Sequence, residues 1–211
     1  MQKRVLKYVA GIAALVVLGY NSVYFKKLDE VKAASASKQF DAVTYARNYL
    51  GKRLKPSLHQ AIEVGELTTL LQLDPKGTFE KHSHALGIGN IRFFLVKGEG
   101  TITALGEDAA TLAIQKDTTS RKVKIATEFV FGNAVRDASG LININEFNNT
   151  MDFNNVSAEI NKIIRSEVLP PFKKAAKPGD RVQFTGAVEL NRLHVSTDSL
   201  EIIPISLEIK K

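Results

Sequence analysis

Cysteine and tryptophan are absent from the 211-residue sequence, and histidine occurs only four times. Without cysteine there is no disulfide framework, no thiolate nucleophile and no cysteine–zinc site. Recognisable catalytic signatures are missing as well: there is no Gly-x-Ser-x-Gly, no His-Glu-x-x-His and no P-loop lysine pattern. Gly87-Ile-Gly89 begins like a dinucleotide loop, but Arg92 stands where the third glycine belongs. A strand also follows this loop, where the fingerprint needs a helix. His82-Ser-His84 could converge on a metal ion, yet only His59 and His194 remain as histidine partners and no carboxylate cluster accompanies them. Solvated loop histidines are the plainer reading. No cofactor and no metal are expected, and no enzymatic activity.

A concentrated charge surplus is missing too. Of the formal net charge of +7, residues up to Lys32 carry +4, leaving +3 for the other 179. Such a balance is ordinary for a soluble surface and is not the footprint of a nucleic-acid binder. Most of the excess flanks one apolar stretch.

That stretch is the clearest feature present. After Lys3, Arg4 and Lys7, residues Tyr8 to Phe25 run for 18 positions without a charge, and Lys26-Lys27 follow. Eighteen uncharged residues, interrupted mildly by Asn21 and Ser22, lie near the lower limit for crossing about 30 Å of hydrocarbon. Tyr20, Tyr24 and Phe25 suit one interface, while Lys7 can snorkel to the other. Residues 1–25 are therefore expected to be a transmembrane anchor or uncleaved signal. A cleaved signal peptide competes, with Ala34-Ser-Ala36 as a small-residue cleavage site, but that site is far from the apolar run. A buried core helix is the bland alternative. Basic residues on both sides leave the orientation undecided.

Residues 26–38 read as a juxtamembrane linker. Residues 39–90 read as a helical section. Asp41 can cap a helix whose apolar face holds Ala42, Tyr45, Ala46, Tyr49 and Leu50. Pro56 suits the first turn of a second helix, carried by Leu58, Ala61, Ile62, Leu70, Leu71 and Leu73, and Asp74-Pro75-Lys-Gly77 stops it. Lys81 to Asn90 reads as a loop. From Ile91 the period becomes two, with Gly98 and Gly100 marking a bulge or bend. Lys122–Phe131 is the best strand, with Val123, Ile125, Phe129 and Phe131 on one face. Leu141–Asn145 is another candidate. Asn155 can cap a helix bearing Val156, Ile160, Ile163, Ile164 and Val168, ended by Pro170-Pro171. Two strands close the chain, the last with Ile203, Ile205, Leu207 and Ile209 inward, and Pro204 implies an edge or bulge. Strands, one helix, then two strands is the order of an oligonucleotide/oligosaccharide-binding (OB) barrel, whose helix plugs the barrel between the third and fourth strands. The expected class is α+β, mainly β: a five-stranded Greek-key barrel over residues 91–211, with 39–211 one compact unit.

Phe94-Leu-Val-Lys-Gly-Glu-Gly100, Phe131-Gly-Asn-Ala-Val-Arg-Asp-Ala138, Ile144-Asn-Glu-Phe147, Asn149, Asn161, Gly179-Asp…Gly186 and Ile202-Ile-Pro-Ile-Ser206 together resemble a bacterial family of periplasmic lipoproteins, domain of unknown function 2291. The resemblance covers roughly Gln39 to Ile209. It implies an envelope protein facing the periplasm, with ABC importer components of the sugar type as partners, and no established activity. The lipid-bearing cysteine is not there: Tyr20 and Asn21 occupy that region. The apolar segment is then the expected tether, single-pass in the inner membrane.

Arg136 and Asp137 are the most interesting charges, able to grip a ligand or partner. The competing reading is a structural pair that fixes a turn. Phe147 and Asn149, from the same passages, complete the candidate ligand- or partner-binding set. Asn148, Asn149, Asn154 and Asn155 equally suit turns and caps. The leading expectation is a non-catalytic binding or adaptor module. The runner-up is a small-ligand receptor or enzyme whose site only the fold assembles. Single-stranded nucleic-acid binding ranks last, because Trp is absent and Phe129 and Phe131 fall on the apolar face.

Overall fold

The computed structural model of the protein describes residues 2–22, 40–116 and 119–210. Met1–Phe40 and Asp41–Lys211 form two separate units. In the first, helix α1 (Gln2–Ser22) leaves Ile12, Leu15, Val16, Val17 and Leu18 exposed. Among the described residues no helix is long and apolar enough to cross a membrane. The expected transmembrane helix is therefore not seen. The described helix holds Tyr8 to Ser22 of the uncharged stretch. Val23–Phe25 and the 26–38 linker, with Ala34-Ser-Ala36, lie outside the described residues.

The second unit opens on the expected cap. The Asp41 carboxylate accepts from Thr44 N at 2.9 Å and Thr44 Oγ1 at 2.6 Å, starting α2 (Ala42–Asn48). A π-helical stretch, Tyr49–Leu54, and a single α-turn at Lys55–Ser57 continue it, with Pro56 in the first turn. The chain then enters a short strand, β1 (Ile62–Glu63), so the next helix, α3 (Val64–Leu73), starts later than its apolar pattern suggested. Helix α4 (Pro75–His82) follows, capped by Asp74. Part of the expected 81–90 loop is structured, because Ser83–His84 forms strand β2 against Phe93 and Phe94.

Strand β3 (Ile91–Leu105) organises the barrel. It pairs antiparallel with β6 (Arg181–Asn191) along 91–101 and with β4 (Ala109–Lys116) beyond Thr101. β4 pairs with β5 (Thr119–Ala126), β5 runs parallel to β7 (Leu200–Lys210), and β7 returns to β6. The order β3-β4-β5-β7-β6-β3 closes five strands. One bulge sits at Thr103, not at the glycines. Gly98 and Gly100 are required by close approach: a Cβ on Gly98 would lie 2.8 Å from Phe184 Cζ, and one on Gly100 2.8 Å from Ala113 O. A second bulge falls beside Pro204, where a ladder donor is missing. It switches the inward face, so Leu200 and Ile202 are buried before it and Ile205 after it, while Ile203 is only half-buried.

β5 ends at Ala126, because the Thr127 and Glu128 amides both donate to Asp108 O and turn the chain out of the ladder. Phe129 and Phe131 are therefore exposed, at 57% and 62%, contrary to the expected inward face. Leu141–Asn145 is not a strand; it leads into a 3-10 turn at Ile144–Glu146. The next helix, α6 (Thr150–Ile163), is capped by Asn149 rather than Asn155 and begins a turn and a half earlier than expected. A π-helical stretch, Ile164–Val168, links it to α7 (Leu169–Ala175), which Pro170 and Pro171 start rather than end.

The barrel core holds Phe94, Val96, Ile102, Leu112, Val123, Ile125, Phe184 and Ile202. Each large apolar side chain removed from water contributes roughly 1.5–3 kcal/mol. The helical residues joining this cluster are Val64, Leu67 and Leu71 of α3, Phe79 of α4, and Phe172 of α7. The expected plug, α6, instead lies against α2, burying Phe153, Val156 and Ile160 outside the barrel cluster.

Candidate ligand-binding cleft

Between β5 and α6 a single helical turn, α5 (Ala134–Asp137), is buried throughout. Its sequence is short and could not hold this shape alone. Three side chains from elsewhere fix it. Tyr49 Oη lies 3.1 Å from both Val135 O and Arg136 O and 2.8 Å from Ser139 Oγ. Ser157 Oγ donates to Asn133 Oδ1 at 3.1 Å, and Asn161 Nδ2 to Gly132 O at 2.9 Å. Burial drives the Tyr49 phenol up to about 12, so it stays a neutral donor.

This turn places Arg136 and Asp137, each 3% exposed, at the floor of a cleft of about 650 Å³. Arg136 Nε and Nη2 donate to Asp137 Oδ1 and Oδ2 at 2.6 and 3.1 Å, and Nη1 donates to Phe153 O at 3.4 Å. The guanidinium carbon lies 3.4 Å from the centroid of the Phe153 ring. Two adjacent charges in the chain thus form a bidentate, stacked pair that is neutral overall.

The 141–149 segment forms one wall. Glu146 pins it: Arg53 donates to both Glu146 oxygens, at 2.8 and 3.1 Å, and Tyr45 Oη to one at 2.6 Å. Arg53 also bonds Leu141 O. The Arg53 hydrogen bonds hold the Glu146 carboxyl down to about 2, while burial and the Glu146 contact push the Tyr45 phenol up to about 12. Glu146 also accepts from Asn143 N at 3.0 Å, closing a capping box. The pinned wall presents Phe147, whose ring lies 5.2 Å from those of Tyr45 and Phe153. Asn149 also lines the cleft, but its side chain is engaged with Asp152 at the start of α6. The glycine-bearing segment Ala85–Asn90, Phe93 of β3 and Glu189 of β6 complete the walls.

The structure therefore brings all four expected residues, Arg136, Asp137, Phe147 and Asn149, into one cleft. Sequence reasoning missed Phe153, Glu189, and the Arg53–Glu146 pair behind the wall. The spacing Asn143-x-x-Glu146 resembles a capping box and was the available signal for Glu146; a carboxylate on the outer face of a strand offers none. His82 and His84 sit apart from the cleft, near Gln60 and Ser139. Among the described residues no group of three or more histidine and carboxylate side chains gathers to hold a metal.

The profile of the predicted periplasmic lipoproteins, domain of unknown function 2291, matches residues 13–208. The chain belongs to that family. The match spans the barrel, α5 and the cleft walls. The sequence contains no cysteine, the residue that carries a thioether-linked lipid. A crystal structure described as an OB-fold protein from Thermotoga maritima resembles the chain with a TM-score of 0.72. It is 26% identical and covers 82% of this chain and 100% of its own. No curated protein matches the sequence.

Proposed function

We propose that this chain is a non-catalytic binding protein of the bacterial envelope that holds a small polar molecule over the Arg136–Asp137 floor. One observation carries the reading: the four residues singled out from the sequence converge in a cleft of about 650 Å³, within the size range of small-molecule sites. A flat apolar patch would have favoured an adaptor surface instead. The strongly shifted carboxylate nearby, Glu146, is committed to Arg53 and Tyr45, so binding is favoured over catalysis.

The family supports a periplasmic setting for the domain. The basic start and the exposed apolar side chains of α1 support a tether through residues 1–25 to the inner membrane, with the C-terminal unit outside. An importer of the ABC type is the partner the family resemblance favours, receiving or sensing the bound molecule. Nucleic acid is not part of the proposal, because the only cation among the described residues lining the cleft is committed to Asp137.

Native mass spectrometry of the full-length protein, extracted from the envelope in mild detergent, tests the reading. A co-purifying small molecule is expected, and it should be lost when Asn148→Trp fills the cleft. A protein that carries nothing, and whose melting temperature no member of a broad metabolite panel raises, refutes it.

A further inference from the structure

This inference rests on the cleft being a binding site and concerns which molecules it admits. A formal charge of +7 would suggest a protein that seeks anions, but the cleft is built otherwise. Arg136 is its only cationic lining residue among the described residues. Three of its donors are already committed, two to Asp137 and one to Phe153 O, and one ring face covers it. A phosphate or carboxylate would compete with Asp137 for the guanidinium and would face the Glu189 carboxylate on the wall. A cation would meet the guanidinium at the floor and find the Phe153 face occupied.

The uncommitted polar groups are uncharged apart from Glu189. Asn148 and Asn154 are exposed and their side chains make no hydrogen bond among the described residues. Asn133 has its oxygen engaged by Ser157, which leaves its amide nitrogen to donate. A primary amide sets an acceptor beside two donors, which matches neighbouring hydroxyl groups that each donate and accept. Phe147 and Ile144 add apolar surface on the same wall.

We infer that the cleft selects an uncharged compound with adjacent hydroxyl groups and one apolar face, a class that includes free monosaccharides and nucleosides. Isothermal titration calorimetry on the full chain in detergent tests this, using D-ribose, D-glucose and adenosine against inorganic phosphate, succinate and putrescine. The double variant Asn148→Ala/Asn154→Ala alters only exposed side chains, and its melting temperature checks that the fold is kept. The expected result is binding of at least one neutral probe, weakened tenfold or more in the variant, with no binding of the charged probes. A sugar bound in preference to adenosine, or the reverse, identifies which member of the class fits. Preferential binding of phosphate, succinate or putrescine, lost on filling the cleft with Asn148→Trp, overturns the ligand class and leaves the cleft reading standing. Neutral binding that neither variant changes places the site elsewhere and overturns both. Binding of none of the six overturns the class.

Discussion

Asp137→Ala tests whether the cleft floor is a single buried pair. In the native protein both partners are 3% exposed, and Asp137 satisfies two guanidinium nitrogens of Arg136 at 2.6 and 3.1 Å. Truncating the carboxylate leaves the guanidinium charged, desolvated and short of two acceptors. Breaking a buried pair from one side costs about 3–5 kcal/mol. For a folded unit of this size, roughly 2–4 °C is lost per kcal/mol, so the melting temperature should fall by about 6–20 °C. Replacing both partners, Arg136→Met/Asp137→Ala, removes the stranded charge and should be milder than Asp137→Ala alone; Arg136→Met completes the cycle. The interaction term of the double-mutant cycle should then be about 2–3 kcal/mol. Urea unfolding followed by circular dichroism, with an unchanged denaturant slope, gives all four stabilities. A loss below about 1 kcal/mol for Asp137→Ala, or simple additivity in the cycle, would refute the argument that a desolvated pair forms the floor.

Tyr49→Phe removes the hydroxyl that ties α5 to the π-helical stretch, leaving Ser139 and two carbonyls without it; urea unfolding should show a loss of about 1–3 kcal/mol. Glu146 has a folded pKa of about 2 against an ordinary 4.5, so the stability it contributes is fully present above the unfolded value. That contribution is lost as the pH falls from about 4.5 towards 2. After allowance for solvent screening it amounts to roughly 1–2 kcal/mol. Melting curves between pH 7 and pH 2.5 should show this component in the native protein and not in Glu146→Gln. Gly100→Ala would push a Cβ to 2.8 Å from Ala113 O, and thermal melting should register roughly 1–3 kcal/mol of strain.

Much of the barrel could be read from alternation, because each strand buries one face. Val123 and Ile125 obey this rule and are 2% and 0% exposed. The same rule misled for Phe129 and Phe131, since a pair of backbone bonds to Asp108 O turns the chain just after Ala126. That contact is between segments distant in sequence and leaves no local trace. Similarly, Asn155 and Asn149 are equally good caps in composition. Asn149 caps because the helix must reach back far enough to set Phe153 beneath Arg136. Pro170-Pro171 reads as a stop signal, but a proline pair is also a sound first turn, and the π-helical stretch before it supplies the break. Arg136 and Asp137 were legible as unusual charges; their neighbourhood was not, because Tyr49 and Arg53 come from the π-helical stretch and Glu189 from β6, both far along the chain.

Two-dimensional NMR of the full chain in detergent, following the side-chain amides of Asn133, Asn148 and Asn154 during titration with D-ribose, D-glucose and adenosine, tests directly whether the cleft is the binding site. Saturable shifts of these three amides and of the Phe153 backbone are expected for at least one probe, with the Phe129–Phe131 region unmoved. Shifts confined to residues outside the cleft, or none at saturating probe, would contradict the cleft as the binding site.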